Sequence, residues 1–237
     1  MRAVILAGGK GTRLKPYTAT LPKPLVPVGE EPIMKLLLTR LKSQGFRETT
    51  ICINHMGDLI SAYFGDGSQY GLKILYSTED KPLGTVGPIK KIDNLPEDFL
   101  VMNGDVLTDL PFRDFLHEHK SNDALMTLAV YKQLMQIEYG VIEHNAEHEV
   151  TAFVEKPTHP YNVCMGIYAL NKRALDYVPA DTYFGFDDLV QTLLGKGEKI
   201  KIIEHKGYWL DIGRPEDYEK ANEDVAKFLK SKKRSHT

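Results

Sequence analysis

Gly8, Gly9 and Gly11 follow an apolar run, Ala3 to Ala7, and are followed in turn by Thr12, Arg13, Lys15 and Lys23. The run reads as a buried strand. Glycines at a strand's end let backbone N–H groups approach phosphate oxygens closely, and nearby cations offset phosphate charge. The chain therefore opens with a cradle for nucleotide phosphates. Two carboxylates suit the same chemistry. Asp105, in Asn103-Gly104-Asp105, follows the apolar run Phe99 to Met102, and Asp211 lies in Trp209-Leu210-Asp211-Ile212-Gly213. Carboxylates placed this way are hard oxygen ligands. Mg²⁺ takes one or two of them, with phosphates and water completing its shell. As isolated features, both aspartates are equally at home in structural turns. Glu155-Lys156-Pro157 adds another lysine, a good point-charge partner for phosphate.

Other chemistries find less support. No stretch fits the phosphate loop G-x-x-x-x-G-K-[ST]. Gly9 and Gly11 begin the dinucleotide fingerprint G-x-G-x-x-G, but Leu14 stands where its third glycine should be. His144 and His148 flank Asn145-Ala146-Glu147, which reads as a hairpin turn, so no zinc site is expected. No Ser/His/Asp or Cys/His arrangement points to a nucleophile. The net charge of −2 offers no basic surface for nucleic acid. No apolar run approaches the roughly 18 residues of a membrane span, and Val4 to Ala7 is too short for a signal peptide. A cytoplasmic protein without a membrane partner is expected. Cys52 and Cys164 both fall in apolar, strand-like runs, which predicts two buried thiols and no disulfide.

Apolar runs alternate with helical patterns through the first half of the chain. Strands are expected at Ala3–Ala7, Thr50–Asn54, Leu72–Tyr76 and Phe99–Met102. Helices are expected at Pro32–Gln44 and Asp58–Phe64, with another opening over Thr85–Lys91. Such alternation predicts right-handed βαβ units, a parallel sheet, and ligands beyond its carboxyl edge. The second half reads as strands at Ala124–Tyr131, Gly140–Glu143, Val150–Glu155 and Val163–Leu170, a mixed extension of the sheet. A helix over Asp187–Leu194, a strand over Ile200–Glu204 and a closing helix over Pro215–Lys230 follow. Lys230 to Thr237 reads as a solvated basic tail. The closing helix is free to pack on its own domain or on a second copy, which leaves a homo-oligomer open.

Leu6 to Leu14, LAGGKGTRL, and Pro22-Lys23-Pro24 match the signature of the sugar-phosphate nucleotidyltransferases. The chain resembles this family, and its bacterial mannose-1-phosphate guanylyltransferase-like members in particular, over roughly residues 1 to 220. The Gly104-Asp105, Glu155-Lys156-Pro157 and Trp209-to-Gly213 segments match its later motifs. Tyr139-Gly140-Val141 resembles its sugar-floor segment, and Asn162 to Tyr168 its N-x-x-x-G-x-Y pattern. Leu83-Gly84-Thr85-Val86-Gly87 resembles its base-recognition stretch, with Val86 in place of alanine.

The resemblance implies an α/β fold: a three-layer α/β/α, Rossmann-like, mostly parallel mixed sheet of the nucleotide-diphospho-sugar transferase type. It implies one catalytic domain over 1–220, with a nucleotide-binding half (1–110) and a sugar-binding half (111–220), then a helix end and basic tail (221–237). No second catalytic domain is expected. The implied reaction joins a nucleoside triphosphate to a sugar 1-phosphate with Mg²⁺ on Asp105 and Asp211. Leu6, Ala7, Gly8, Gly9, Gly11 and Thr12 would hold the nucleotide. Arg13 would grip the departing β,γ-phosphates, and Lys23 would bridge the α-phosphate and the incoming phosphate. Glu79, Gly84 and Gly87 would meet the base. Tyr139, Gly140, Glu155, Asn162 and Gly166 would line the sugar pocket, with Lys156 on the sugar phosphate. A carboxylate at Glu79 only accepts hydrogen bonds, which suits guanine but also uracil or thymine. GTP with mannose or heptose 1-phosphate is the leading pair. Uridylyl, thymidylyl or cytidylyl transfer, a non-sugar acceptor such as phosphocholine, and a non-catalytic nucleotide-sugar-binding relative are the alternatives.

Overall fold

The computed structural model describes residues 1–233. The chain starts with strand β1 (Arg2–Ala7) and reaches a small hairpin of β2 (Pro27–Val28) and β3 (Glu31–Pro32). Helix α1 (Ile33–Ser43), strand β4 (Glu48–Ile53), helix α2 (Gly57–Phe64), strand β5 (Lys73–Thr78) and the one-turn α3 (Gly87–Lys90) come next. Strands β6 (Asp98–Asn103) and β7 (Val106–Thr108) precede helix α4 (Phe112–Ser121). The second half holds strands β8 (Met126–Gln136), β9 (Val141–His144), β10 (Val150–Val154) and β11 (Thr158–Asn171). It ends with helix α5 (Phe186–Gly195), strands β12 (Ile200–His205) and β13 (Trp209–Asp211), and helix α6 (Pro215–Lys233).

One seven-stranded sheet, ordered β12-β8-β11-β6-β1-β4-β5, forms the middle layer. β6, β1, β4 and β5 run parallel, β11 is antiparallel to both its neighbours, and β12 is parallel to β8. This is the mixed, mostly parallel α/β sheet that the sequence predicts. Alternate side chains of β1 divide between its faces. Ala3 and Ile5 pack with Leu37 and Leu41 of α1, Phe64 of α2 and Phe115 of α4. Val4 packs on the other face with Ile89 of α3 and Leu189 and Leu193 of α5. Helices on both faces complete three layers.

Several local departures have physical causes. Helix α4 escaped the sequence reading because its inner face is Phe112, Phe115, Leu116 and His119, the last a histidine in a core position amid charged neighbours. Only the single turn Gly87–Lys90 is helical within Thr85–Lys91. Cys52 is buried as expected, but Cys164 is exposed, which corrects the expectation of two buried thiols. β11 shifts register between Cys164 and Tyr168, and it pairs with β6 only from Ile167 onward. Cys164 therefore sits on the stretch covered from one side only. The basic tail was expected from Lys230, but helix α6 continues to Lys233, and positions 234–237 lie outside the described residues. No helix among the described residues is long and apolar enough to cross a membrane.

Candidate active site

A cavity of about 470 Å³ opens beyond the carboxyl ends of β1 and β6. Leu6, Ala7, Gly8, Gly9, Gly11, Thr12 and Arg13 all lie on its wall, and so do Lys23, Glu79, Gly84 and Asp105. Gly11 holds a left-handed conformation, φ 61°, and a Cβ there would come within 2.9 Å of Thr18 Cγ2. The Thr18 hydroxyl donates to the Gly11 carbonyl at 2.7 Å, folding the loop back on itself. Only glycine fits this turn without strain.

The two aspartates converge through strands too short to read from sequence. β13 pairs with β7, placing Asp211 beside Val106, and the Ile212 N–H donates to the Asp105 carbonyl at 3.1 Å. The Lys23 ammonium forms an ion pair with Asp105 Oδ2. Asp105 Oδ1 is buried and has no hydrogen-bond partner. Burial, and then the charge of Asp105, push the Asp211 carboxyl up to about 6, while the Lys23 and Arg13 charges pull against this. Arg13 Cζ lies 3.7 Å from where a Gly213 Cβ would stand, and Asp211 Oδ2 lies 3.6 Å from the same point. The site thus holds two hard-oxygen carboxylates, one with an unsatisfied buried oxygen, which fits a divalent cation such as Mg²⁺. Among the described residues no cluster of three or more His, Cys, Asp or Glu forms. A cation held by these two carboxylates would need its remaining ligands from substrate phosphates and water. His144 and His148 flank a turn, as expected, with ring centroids 5.5 Å apart.

The expected sugar-pocket residues lie away from this cavity wall, on and around the β8–β11 ribbon and the β9–β10 hairpin. A Cβ on Gly140 would meet Phe153 Cζ at 2.5 Å and Glu155 Oε2 at 3.0 Å, so the Tyr139-Gly140 turn seats directly on Glu155. Tyr139, Glu155, Lys156 and Asn162 are exposed. Lys156 has φ 46°, a left-handed conformation uncommon for a residue with a Cβ. Gly166, φ 70°, lies in the β11 register shift, where a Cβ would come within 2.6 Å of Asn103 Nδ2. The Trp209 indole donates to the Met165 carbonyl at 3.1 Å and ties the shift to β13. Gly166 thereby connects to the cavity through Asn103, which lines it.

Where the base is expected, Leu83 N–H donates to Glu79 Oε2 at 2.7 Å. Oε1 faces Gly8, 3.3 Å from where a Cβ would stand. Burial raises the Glu79 pKa. Gly84 lines the cavity, but Gly87 is not on its wall. The Val86 and Gly87 N–H groups both donate to the Phe184 carbonyl, at 3.0 and 3.2 Å. These two donors are spent on a protein loop. The sequence reading also passed over Asn54, His55, Asn103 and Tyr183, all on the cavity wall. Asn54 and Asn103 each follow or end an apolar strand, and that position was the signal available.

The family model described as nucleotidyl transferase matches residues 2–227, and the chain belongs to this family. It is 36% identical to a mannose-1-phosphate guanyltransferase of Schizosaccharomyces pombe, covering 92% of this chain and 62% of that protein. It is 32% identical to a UTP–glucose-1-phosphate uridylyltransferase of Synechocystis sp., covering 92% of this chain and 61% of that protein. The chain thus spans about three fifths of the length of these relatives. The crystal structure of HddC from Yersinia pseudotuberculosis complexed with GMP-PN superposes with a TM-score of 0.72 at 29% identity. That match covers 94% of this chain and 99% of HddC.

Proposed function

We infer that this chain transfers a nucleotidyl group from a nucleoside triphosphate to a sugar 1-phosphate, giving a nucleotide sugar and pyrophosphate. The observation that carries the reading is the placement of Arg13, Lys23 and Asp105 on the wall of the glycine-loop cavity, with Asp211 close enough to feel the charges of all three. A phosphate oxygen of the acceptor forms a bond to the α-phosphorus. The bond from that phosphorus to its bridging oxygen breaks in line, and the electron pair leaves with pyrophosphate. Such a reaction asks for positioning and charge stabilisation rather than a protein nucleophile.

The backbone of Gly8 to Thr12 binds the triphosphate. Arg13 receives the charge that builds on the departing pyrophosphate. Lys23 stands between the α-phosphate and the incoming phosphate and offsets the repulsion between two anions. Asp105 and Asp211 would hold Mg²⁺, which neutralises charge at the α-phosphate when bound. Lys156 takes the acceptor's phosphate, with Glu155, Tyr139, Gly140, Asn162 and Gly166 around its sugar.

We favour GTP as donor and mannose or heptose 1-phosphate as acceptor. Glu79 accepts hydrogen bonds only, and guanine offers two adjacent donors, N1–H and N2–H, to one carboxylate. The relative named as a guanyltransferase and the GMP-PN complex point the same way. The uridylyltransferase relative supports UTP as the second reading, because uracil N3–H also suits Glu79. Pyrophosphate release with Mg²⁺, measured for GTP, UTP, dTTP, CTP and ATP against several sugar 1-phosphates and phosphocholine, tests the assignment. A dominant GTP signal supports it. A dominant signal in another column reassigns the base, and one with phosphocholine alone overturns the sugar acceptor.

A further inference from the structure

Tyr183 lines the cavity, yet 69% of its surface is exposed. Isolated exposed aromatics are ordinary, but the backbone around this one is held from both sides. The Phe184 N–H donates to the Leu83 carbonyl at 2.9 Å, and the Phe184 carbonyl receives Val86 and Gly87. The Phe186 N–H donates to Thr85 Oγ1 at 3.0 Å. On the other side, Lys91 pairs with Asp181 at 3.2 Å. The approach is so close that Cβ atoms would not fit: one on Gly84 would stand 2.5 Å from the Phe184 carbonyl oxygen, and one on Gly87 3.2 Å from that of Thr182. Two glycines of the 83–87 segment therefore seat the loop that carries Tyr183.

The loop also reaches β11. Phe186 stacks on Tyr168 of β11, with centroids 3.7 Å apart and planes 5° from parallel. β11 also carries Asn162 and Gly166. It is separated from β4 by β6 and β1 in the sheet. The base end, where Glu79 and Asn54 approach Gly8, lies over β4 and β5. Tyr183 thus lines the cavity on a loop that runs from the 83–87 segment, beside Glu79, to β11, the strand bearing Asn162 and Gly166.

We propose that Tyr183 is a specificity-determining residue for the acceptor, its ring forming an apolar wall against which a face of the sugar ring packs. The proposal rests on the nucleotidyl-transfer reading above and names a contact within it. A rigid backbone under a solvent-facing ring presents such a wall at little entropic cost on binding.

Titration calorimetry on wild type, Tyr183→Phe and Tyr183→Ala tests this, with GDP-mannose and UDP-glucose compared against GDP and UDP. Tyr183→Ala is expected to weaken the preferred sugar nucleotide about tenfold while leaving the matching diphosphate within about twofold. Tyr183→Phe keeps the ring and stays close to wild type. In turnover, the alanine variant raises the KM for the sugar 1-phosphate by a similar factor and leaves the KM for the triphosphate unchanged. Equal weakening of diphosphate and sugar nucleotide would place the ring on the nucleotide and overturn the proposal. Wild-type affinities in Tyr183→Ala would do the same, and a phenylalanine variant as weak as alanine would overturn the packing role. Failure of the broader reading shows in the wild type itself, as absent turnover or as sugar nucleotides bound no tighter than diphosphates. Failure of the Tyr183 proposal shows only in the variants.

Discussion

At the residue scale, the site is a balance of charges. Lys23 is held by Asp105, and Asp211 is left protonatable near neutrality at about 6 because burial and Asp105 outweigh Lys23 and Arg13. Removing one preorganised stabiliser of developing charge costs about 10²–10³ in kcat. Lys23→Ala and Asp211→Ala are each expected to lose at least that much, in protein whose melting shows it to be folded. Turnover near wild type in either variant would remove that residue from the mechanism. Glu79→Gln replaces one acceptor oxygen with a donor and leaves one acceptor. Its kcat/KM for GTP relative to UTP is expected to fall about tenfold, one mispaired hydrogen bond's worth. An unchanged ratio would mean that Glu79 does not read the base. The residues of this charge cluster were legible because the glycine loop, the flanking cations and the two aspartates are each marked by their neighbours. Tyr183 was not, because nothing within its own segment distinguishes it from a surface tyrosine.

At the scale of elements, the segment that follows the glycine loop is braced from the far end of the chain. Tyr218 of α6 donates its hydroxyl to the Pro27 carbonyl at 2.8 Å and its ring meets Tyr17, with centroids 4.4 Å apart. Asn222 Oδ1 accepts the Gly29 N–H at 2.8 Å, and Ala221 and Val225 pack with Leu14, Val26 and Val28. The closing helix thus packs on its own domain. It also steadies the segment between Arg13 and Lys23. Asp217, in its first turn, accepts the Gly213 and Arg214 N–H groups just beyond Asp211. A second element contact, between the 83–87 segment and the loop at 182–186, depends on Gly84 at φ 80°. Gly84→Ala brings both a left-handed penalty and a Cβ clash. It is expected to cost about 1–3 kcal/mol of stability in urea denaturation. No measurable loss would mean that the two loops separate freely. Alternating apolar runs and helical periodicity made the main strands and helices legible. Contacts between loops and the three-residue strands β7 and β13 have no period to read, so the resemblance put Asp105 and Asp211 on one cation but the β7–β13 pairing that joins them emerged only in three dimensions.

At the scale of the whole molecule, both faces of the sheet must remain covered for the cavity at its edge to keep its shape. His119 of α4 is 1% exposed, and its Nδ1 lies 2.7 Å from Thr127 Oγ1 on β8. Burial lowers its pKa, with Asp98, 3.5 Å away, opposing the shift. In the unfolded chain a histidine takes up its proton near pH 6.5. Below that pH the unfolded state therefore binds more protons than the folded one, and stability falls as the solution is acidified. Urea midpoints measured from pH 7.5 down to 5.5 are expected to decline, and to decline less steeply in His119→Gln. A His119→Gln variant with the same slope as wild type would assign the acid sensitivity to other groups. The apolar surface is distributed unevenly. Leu134, Met135, Tyr139, Ile142, Val150 and Phe153 are all more than half exposed along the 134–153 stretch, while no large apolar residue of positions 1–110 is.

The most direct test of the account is product stoichiometry with purified protein, GTP, mannose 1-phosphate and Mg²⁺, and with the other donor–acceptor pairs in turn. The account predicts a nucleotide sugar and pyrophosphate formed one for one, only when both substrates are present, and abolished by chelating the cation. A protein that binds nucleotide but forms no nucleotide sugar from any pair would contradict it.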